Sequence, residues 1–279
     1  MQEIIKTIKK SVKIISKDIL KPETGYSTSQ NATGDLQLKQ DIRCDDLIAA
    51  NLSKCGNIKA IISEEKENPF LLYEDAEYIV AYDPLDGSSV FESNFTVGSI
   101  FAIYKQTAEP KNLKCAIYSI YGAKTQIIIC ENTPKLYTLI DDDFVYEKDL
   151  MLNEKGKLNS PGGTYKNHTS KHKDFINQLF EEGYRLRYSG AMVADLHQIL
   201  VKGGGIFSYP ATSDAPNGKL RALFEVYPFA YIFKNANGYT DDGNGNDLLS
   251  LKFPMIHATT PCYFGSKYEI EKLKSIMKD

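Results

Sequence analysis

Residues 77–89, EYIVAYDPLDGSS, limit the possible fold more than any other stretch of the chain. An apolar run of β-branched and aromatic residues stops abruptly at two carboxylates, Asp83 and Asp86, which a Pro-Leu pair separates. A glycine and two serines follow at once, which is typical of a tight turn. In folds that combine strands and helices, functional groups collect where strands end. The stretch therefore indicates an α/β protein with chemistry at the end of a strand.

The pattern along the chain predicts an α/β or layered α+β protein in two halves. Apolar residues at helical spacing predict a first helix that ends at Pro22. After a turn-like segment, a second helix is expected from Leu36 to about Leu52, capped by Asp35 or Thr33. Strands then follow up to a polar segment rich in glycine, beyond which strands alternate with helices. We therefore expect an N-terminal subdomain over residues 1–155 and a C-terminal subdomain over residues 156–279.

The composition argues against several classes of protein. The 279 residues carry a formal net charge of −3, unlike a non-specific nucleic-acid binder, which is normally basic. The five cysteines are odd in number and include no C-x-x-C pair, so we expect reduced thiols in a cytoplasmic protein. No apolar run reaches the roughly 18 residues that span a membrane, and the amphipathic first segment lacks the apolar centre of a secretory signal. The expected partner is a small molecule, not a nucleic acid or a membrane.

Carboxylates recur at the ends of successive predicted elements. Acids that lie together repel each other strongly unless cations are placed between them. Hard oxygen ligands of this kind suit Mg²⁺ or Mn²⁺ and not a structural zinc ion. Two such cations can activate a water molecule and stabilise a leaving oxygen. The acids concerned are Asp35, Asp41, Glu64, Glu65, Asp83, Asp86 and Glu225.

The Gly-Ser-Ser sequence after the two aspartates predicts an anion site. Gly87 permits a sharp turn, and the N–H groups and hydroxyls of Ser88 and Ser89 can then surround a phosphate. Metal-binding acids beside such a turn predict hydrolysis of a phosphate ester. Each signal alone has an ordinary alternative, since DPLDG is also a good turn sequence and Asp35 could be only a helix cap. Several signals at the ends of successive elements favour the phosphatase.

Together these stretches resemble the class I fructose-1,6-bisphosphatases, which belong to the lithium-sensitive sugar-phosphatase superfamily. The DPLDGSS motif is shared across that superfamily, whereas PNGKLR followed by E-x-x-P is far more specific to the bisphosphatases. The resemblance covers nearly the whole chain in order. Its motifs are NATGDLQLKQD (31–41), SEE (63–65), DPLDGSS (83–89), RYSGAMVADLH (187–197), GGIFSYPA (204–211) and SDAPNGKLRALFEVYPFAY (213–231).

The resemblance implies which residues bind metal and which activate water. Two or three Mg²⁺ ions are expected in each subunit, with Mn²⁺ as the alternative. Asp41 and Glu65 are expected to position and deprotonate the attacking water, and Glu64 adjoins them in the catalytic set. The expected metal ligands are the carboxylates of Asp35, Glu64, Asp83, Asp86 and Glu225 and the carbonyl of Leu85.

The substrate contacts follow from the same resemblance. The 1-phosphate is expected against the Gly-Ser-Ser turn and near Arg221, whereas Lys219 and two tyrosines hold the sugar and the 6-phosphate. The backbone of Met192 is expected to touch a sugar hydroxyl. Arg187 is expected to reach into the site of a neighbouring subunit, in a homotetramer or, alternatively, a dimer. The full expected set is Gly87, Ser88, Ser89, Arg187, Tyr188, Met192, Tyr209, Lys219 and Arg221.

The resemblance further implies a five-layer αβαβα sandwich and hydrolysis of the 1-phosphate of fructose 1,6-bisphosphate in gluconeogenesis. The cations Lys219, Arg221 and Arg187 favour a substrate with a second phosphate, although they do not separate six-carbon from seven-carbon sugars. A phosphatase for sedoheptulose 1,7-bisphosphate, an enzyme like inositol monophosphatase and a silent sensor of sugar phosphates therefore stay as alternatives. The chain departs from the family at residues 159–165, NSPGGTY, where relatives carry a loop that touches the 6-phosphate.

Two features of the sequence predict that AMP does not inhibit the enzyme. Many members of the resembled family hold the AMP phosphate at the start of the first long helix, with help from a Lys-Tyr pair. Here that helix is expected to begin almost at Met1, and the pair reads Glu77-Tyr78. A carboxylate that faces a phosphate replaces attraction by repulsion, so the AMP site is expected to be lost.

Overall fold

A computed structural model describes the protein over residues 1–21, 25–30 and 36–278, and within them helices and strands form a layered assembly. The strands are β1 (Tyr26–Gln30), β2 (Leu36–Leu38), β3 (Ile58–Ser63), β4 (Phe70–Leu71), β5 (Tyr78–Asp86), β6 (Val97–Lys105), β7 (Leu113–Tyr121), β8 (Thr125–Cys130), β9 (Pro134–Ile140), β10 (Asp143–Asp149), β11 (Leu158–Pro161), β12 (Arg185–Leu186), β13 (Ile206–Tyr209), β14 (Tyr239–Asp241) and β15 (Cys262–Gly265). The helices are α1 (Gln2–Asp18), α2 (Lys39–Leu52), α3 (Ser88–Phe91), α4 (Ser170–Glu181), α5 (Met192–Lys202), α6 (Tyr227–Asn235) and α7 (Lys267–Lys278).

Two mixed sheets form the frame of the protein. The larger sheet has eight strands in the order β10-β9-β8-β7-β6-β5-β3-β4, and in it β3 and β5 run parallel whereas the other pairs are antiparallel. The smaller sheet has the order β12-β11-β13-β15-β14, with β11 parallel to both of its neighbours. Strands β1 and β2 pair with each other outside these sheets.

Apolar side chains on both faces of each sheet hold five layers together. One cluster joins α1 and α2 to the outer face of the larger sheet. A second cluster joins the inner face of that sheet, through α5 and α6, to the smaller sheet, and a third joins the smaller sheet to α4 and α7. The layers follow the order α, β, α, β, α, which confirms the predicted sandwich. Fully buried members of the three clusters include Ile8, Phe101, Tyr118, Phe229, Phe264, Phe175 and Leu273.

Strand β6 shows why the larger sheet is a central layer. Its residues from Val97 to Tyr104 are all buried, so apolar side chains occupy both of its faces. A continuous apolar run of this kind is typical of a strand that is covered on both sides. Strand β5, its neighbour, is buried from Val80 onward, and this burial extends to the carboxylates at its end.

The start of the second helix differs from the prediction. Residues Leu36–Leu38 form strand β2, and α2 begins only at Lys39. The backbone N–H of Leu38, the residue at the N-cap, donates a hydrogen bond of 3.0 Å to the carboxylate of Asp41. Both predicted caps, Asp35 and Thr33, lie outside the described residues. The observed cap fixes Asp41 in the first turn of α2.

The cysteines and the helices bear on the expected compartment and on the expected absence of a membrane span. All five cysteines are buried with free thiols. Across the described residues, no helix combines the length and the apolar character that crossing a bilayer requires.

The predicted turn before β2 is also partly wrong, because Tyr26–Gln30 form strand β1 there.

The packing between the two sheets predicts a large effect of truncation at Phe229. This side chain is fully buried, and its ring centroid lies 4.9 Å from that of Tyr118. Phe229→Ala should lower the free energy of unfolding by about 3–5 kcal/mol, because it removes buried apolar surface and leaves a cavity. Phe95→Ala is the matched control, since Phe95 is 55% exposed. Urea-induced unfolding measures both, and equal losses in the two variants would contradict the assigned core.

Candidate active site

Two parallel strands bring four acids to one edge of the larger sheet. Strands β3 and β5 pair in parallel, so their carboxyl ends lie at the same edge. Glu64 and Glu65 follow the last residue of β3, whereas Asp83 and Asp86 belong to the end of β5. Glu64, Asp83 and Asp86 are buried. The acids that the sequence placed at strand ends are therefore neighbours in space.

Three of the buried carboxylates form one cluster. Oxygen atoms of Asp83, Asp86 and Glu225 all lie within 4.8 Å of one another. Glu225 comes from a π-helical turn, Ala222–Val226, that leads into α6. Its carboxylate accepts a hydrogen bond from the backbone N–H of Arg221. The N-terminal and C-terminal halves of the chain thus both contribute to the cluster.

Backbone N–H groups fix the orientation of the two aspartates. The N–H of Leu85 donates to Oδ1 of Asp83 at 2.9 Å. The N–H of Val193, in the first turn of α5, donates to Oδ2 of Asp86 at 2.8 Å. Hydrogen bonds of this kind stabilise the ionised form of a carboxylate. They oppose the desolvation that burial imposes on these groups.

Burial and mutual repulsion raise the pKa of each carboxyl in the cluster. Burial raises the pKa of Asp83 well above its usual range, and the negative charges of Asp86 and Glu225 add to the effect. Burial and the charge of Glu225 raise the pKa of Asp86 to about 7. Burial also raises the pKa of Glu225, against the opposing effect of Arg221. A positive charge among these groups would restore their ionised forms.

Asp41 approaches the cluster from α2. Its Oδ1 is buried and has no hydrogen-bond partner among the described residues, as is also true of Oε2 of Glu64. The other oxygen of Glu64, Oε1, forms an ion pair with the guanidinium of Arg221. Burial, followed by the negative charge of Glu65, raises the pKa of Asp41 to about 7. Asp41 is thus a carboxyl group that can take or release a proton near neutral pH.

A cavity of about 480 Å³ lies against these acids. Six carboxylates and two cations line it, so the lining carries a formal excess of four negative charges. Asp35 lies outside the described residues, and Arg187 is not part of the lining. Every other predicted site residue lines the cavity, namely Asp41, Glu64, Glu65, Asp83, Leu85, Asp86, Gly87, Ser88, Ser89, Tyr188, Met192, Tyr209, Lys219, Arg221 and Glu225.

The residues present fit divalent cations. Clustered carboxylate oxygens are the ligands that Mg²⁺ and Mn²⁺ prefer. The two buried oxygens without partners, on Asp41 and Glu64, are acceptors that the protein itself leaves unsatisfied in the described residues. Unpaired buried acceptors are unfavourable unless a cation or donor meets them.

The turn after β5 has the geometry that a sharp change of direction requires. Gly87 has a φ of +85°, and a Cβ atom there would lie 2.6 Å from the Cβ of Ala191. A side chain is therefore excluded for two reasons, the backbone conformation and the close approach to the start of α5. This places Ser88 and Ser89 at the cavity wall.

The lining of the cavity also includes aromatic and basic groups. Tyr188 is 44% exposed, and Tyr209 is partly buried. A Cβ atom on Gly162 would lie 2.5 Å from Cδ2 of Tyr209, so the loop of residues 159–165 packs against that ring. This loop therefore borders the part of the cavity that Tyr209 lines. Lys219 lies exposed at the rim.

Arg187 lies away from the cavity. It is exposed, and its guanidinium donates to the carbonyl of Leu186 at 2.8 Å. It lines a separate cleft together with Arg185 and Lys202. Its expected contact with the site of a neighbouring subunit stays a prediction.

The cavity lining contains three residues that were not predicted from the sequence. Gly190, Phe207 and Leu220 also line it. Each lies within two residues of a predicted site residue and inside a motif that carries the family resemblance, namely 187–197, 204–211 and 213–231, and these are the signals that could have found them.

Comparison with known proteins identifies the family. Family models of the fructose-1,6-bisphosphatase N-terminal and C-terminal domains match residues 1–144 and 152–278. A class 1 fructose-1,6-bisphosphatase from Campylobacter jejuni subsp. jejuni is 59% identical over 274 residues, which are 98% of each chain. A crystal structure of Leishmania major fructose-1,6-bisphosphatase in holo form is similar with a TM-score of 0.94 and 29% identity, over 99% of this chain and 94% of that chain. A putative sedoheptulose-1,7 bisphosphatase from Toxoplasma gondii gives a TM-score of 0.91 and 25% identity, over 99% and 93%. The chain therefore belongs to the fructose-1,6-bisphosphatase family, and it is a phosphatase.

Proposed function

We propose that the protein hydrolyses the 1-phosphate of fructose 1,6-bisphosphate, with Mg²⁺ as cofactor, to fructose 6-phosphate and inorganic phosphate in gluconeogenesis. The observation that carries this proposal is the cavity in which six carboxylates face Lys219 and Arg221. A phosphate group can approach so many carboxylates only when cations lie between them. Arg221, paired with Glu64, suits the phosphate that is cleaved, and the exposed Lys219 suits a second phosphate on the same substrate. The names of the similar proteins support the sugar bisphosphate as substrate.

The proposed cofactor is two or three Mg²⁺ ions per subunit, with Mn²⁺ as the alternative. When bound, such ions neutralise charge on the phosphate and lower the pKa of a coordinated water. The cluster of Asp83, Asp86 and Glu225 supports their placement. The assignment of Asp35 rests on the resemblance alone. The full set proposed to hold them is Asp35, Glu64, Asp83, Asp86, Glu225 and the carbonyl of Leu85.

Asp41 is proposed as the group that takes the proton from the attacking water. Its Oδ1 is buried at the cavity and has no hydrogen-bond partner in the described part of the chain. In the protein without bound cations, burial and the charge of Glu65 raise the pKa of Asp41 to about 7, so this carboxylate has a high affinity for a proton. The charge of Glu65 contributes to that pKa, so Glu65 keeps Asp41 basic while it orients the water. The water oxygen then forms a bond to phosphorus while the bond between phosphorus and the C1 oxygen breaks, and the leaving oxygen takes a proton from solvent to become the C1 hydroxyl.

The remaining proposed residues bind and orient the substrate. The turn at Gly87 supplies N–H groups and hydroxyls for the 1-phosphate, next to Arg221. The side chain of Arg221 is only 12% exposed and is fixed by its ion pair with Glu64. Lys219 at the rim is proposed to meet the 6-phosphate. The other residues proposed to contact the sugar or its phosphates are Ser88, Ser89, Tyr188, Met192 and Tyr209.

Three further proposals concern organisation. We propose an N-terminal subdomain over residues 1–155, which carries most of the metal-binding acids, and a C-terminal subdomain over residues 156–279, which binds the sugar. We also propose, from the resemblance to the family, a homotetramer or a dimer in which Arg187, exposed in the single chain, reaches the site of a neighbouring subunit. Five buried free thiols support a reducing compartment such as the cytoplasm.

Phosphate release from a panel of sugar phosphates tests the proposed function. Fructose 1,6-bisphosphate with Mg²⁺ should be hydrolysed fastest, and EDTA should abolish the reaction. Asp83→Asn and Glu64→Gln should each lower turnover by at least about 100-fold, because each removes a charged group from the proposed metal site. Asp174→Asn, at an exposed position of α4, is the matched control and should leave turnover unchanged.

The same panel separates the alternatives. Faster hydrolysis of sedoheptulose 1,7-bisphosphate would replace the proposed substrate, and equal hydrolysis of an inositol monophosphate would contradict the role of the second phosphate. Near-normal turnover of Asp83→Asn at saturating Mg²⁺ would contradict the metal assignment. Sugar-phosphate binding without any hydrolysis would point to a sensor.

Insensitivity to AMP is proposed from the pair Glu77-Tyr78. Glu77 is exposed immediately before β5 and forms an ion pair of 2.7 Å with Lys105. A charge-assisted hydrogen bond is worth about 1.5–3 kcal/mol, so losing the lysine should weaken AMP binding roughly 10- to 100-fold. Activity titrated with AMP at fixed Mg²⁺ and substrate should therefore show no inhibition at micromolar AMP. Glu77→Lys should increase the sensitivity, and half-inhibition of the unaltered enzyme at micromolar AMP would show that the prediction is wrong.

A further inference from the structure

A buried carboxylate outside the predicted site connects the three elements that carry its acids. Asp45 lies on α2, one helical turn beyond Asp41, and only 1% of its surface is exposed. Its Oδ1 accepts a hydrogen bond from the hydroxyl of Tyr82 at 2.8 Å. Its Oδ2 lies 3.2 Å from Nζ of Lys66, an ion pair that is not aligned as a hydrogen bond. We call Asp45, Lys66 and Tyr82 the Asp45 triad.

Each member of the Asp45 triad is close in the chain to an acid of the candidate site. Tyr82 immediately precedes Asp83 on β5, and Lys66 immediately follows Glu65 after β3. Asp45 itself shares a face of α2 with Asp41, because residues four apart in a helix are neighbours. The triad thus links the three backbone segments from which these acids project.

Lys66 is held from two directions. Its ammonium group pairs with Asp45, while its carbonyl accepts a hydrogen bond from Nε2 of His257 at 3.0 Å. Its side chain is 55% exposed, so the ammonium group keeps contact with water while it neutralises a carboxylate that is almost fully buried. A buried carboxylate is strongly destabilising unless it is both paired and hydrogen-bonded, and Asp45 has both kinds of partner.

The triad opposes a force that the site itself creates. Asp41, Glu64, Glu65 and Asp83 line one cavity, and their like charges push α2, β3 and β5 apart at this edge. The hydrogen bond between Tyr82 and Asp45 holds β5 to α2, and the ion pair holds the segment after β3 to the same helix. The acids are therefore kept together by contacts that do not depend on any bound ligand.

We propose that Asp45 is a positioning residue, which sets the spacing of the site acids through Lys66 and Tyr82 and so raises their affinity for divalent cations. This inference rests on the proposed function, because it requires that those acids bind cations. Asp45 does not line the cavity, so it acts on the cations through the acids and not by contact with substrate.

Calorimetric titration of the full chain with Mn²⁺, without substrate, tests the proposal directly. Asp45→Asn keeps the size of the side chain but removes the ion pair, and Lys66→Met removes its other half. Each should weaken Mn²⁺ binding by roughly 10- to 100-fold, the effect typical of groups that orient metal ligands. The double variant should bind Mn²⁺ no more weakly than the single variant with the lower affinity, because both changes remove the same ion pair. Lys66→Arg should restore most of the affinity, and Tyr82→Phe should weaken binding through the other contact.

The matched control is Lys105→Met. It removes a solvent-exposed ion pair between Lys105, at the end of β6 in the larger sheet, and Glu77. It should leave Mn²⁺ affinity unchanged. Thermal melting without metal gives the second readout for every variant. A lower melting temperature of Asp45→Asn with unchanged Mn²⁺ affinity would overturn the proposal and leave a purely structural role. Equal weakening by Lys105→Met would also overturn it. Absence of Mn²⁺ binding to the unaltered protein would contradict the proposed function itself, and the inference with it.

Discussion

Mutual repulsion among carboxylates that the fold buries together is the constraint on which the rest of this site depends. Asp83, Asp86 and Glu225 have oxygens within 4.8 Å of one another in surroundings largely removed from water. Like charges at such distances are unfavourable unless fixed donors or cations compensate them. The protein supplies part of that compensation through N–H groups and Arg221, and the remaining negative charge accounts for the proposed need for metal.

The layered fold explains how so many acids reach one place. Two parallel strands end at the same edge of the larger sheet, α2 approaches from the outer layer, and a π-helical turn and α5 approach from the central layer. Apolar clusters that these elements share anchor them to one another, and the burial of those clusters stabilises the arrangement independently of the acids. The apolar layers can therefore hold a charge arrangement that would not assemble by itself. The Asp45 triad adds a local polar connection between the same elements.

Most of the candidate site could be predicted because its residues stand at element ends that the sequence marks clearly. Asp83 and Asp86 follow an apolar run, and Glu64 follows another, so local pattern was sufficient for these acids, whereas Tyr188, Met192, Tyr209, Lys219 and Arg221 were expected only from the resemblance to a family. The predicted start of α2 was wrong because Leu36–Leu38 pairs with β1 as a strand. Helical periodicity within one segment does not predict a pairing between two segments. Asp45 was not predicted for a related reason. Its partners, Tyr82 and Lys66, come from two other segments of the chain, and only folding brings them into contact with it. The role proposed for Arg187 requires a second copy of the chain.

The central claim is that the buried carboxylate cluster holds divalent cations, and crystallography with Mn²⁺ tests it most directly. Crystals of the full chain grown or soaked with Mn²⁺ should give anomalous difference peaks between the carboxylates of Asp83, Asp86 and Glu225. The same peaks should disappear in Asp83→Asn, where one of the three charges is lost. Anomalous peaks elsewhere in the molecule, with none among these three residues, would contradict the account.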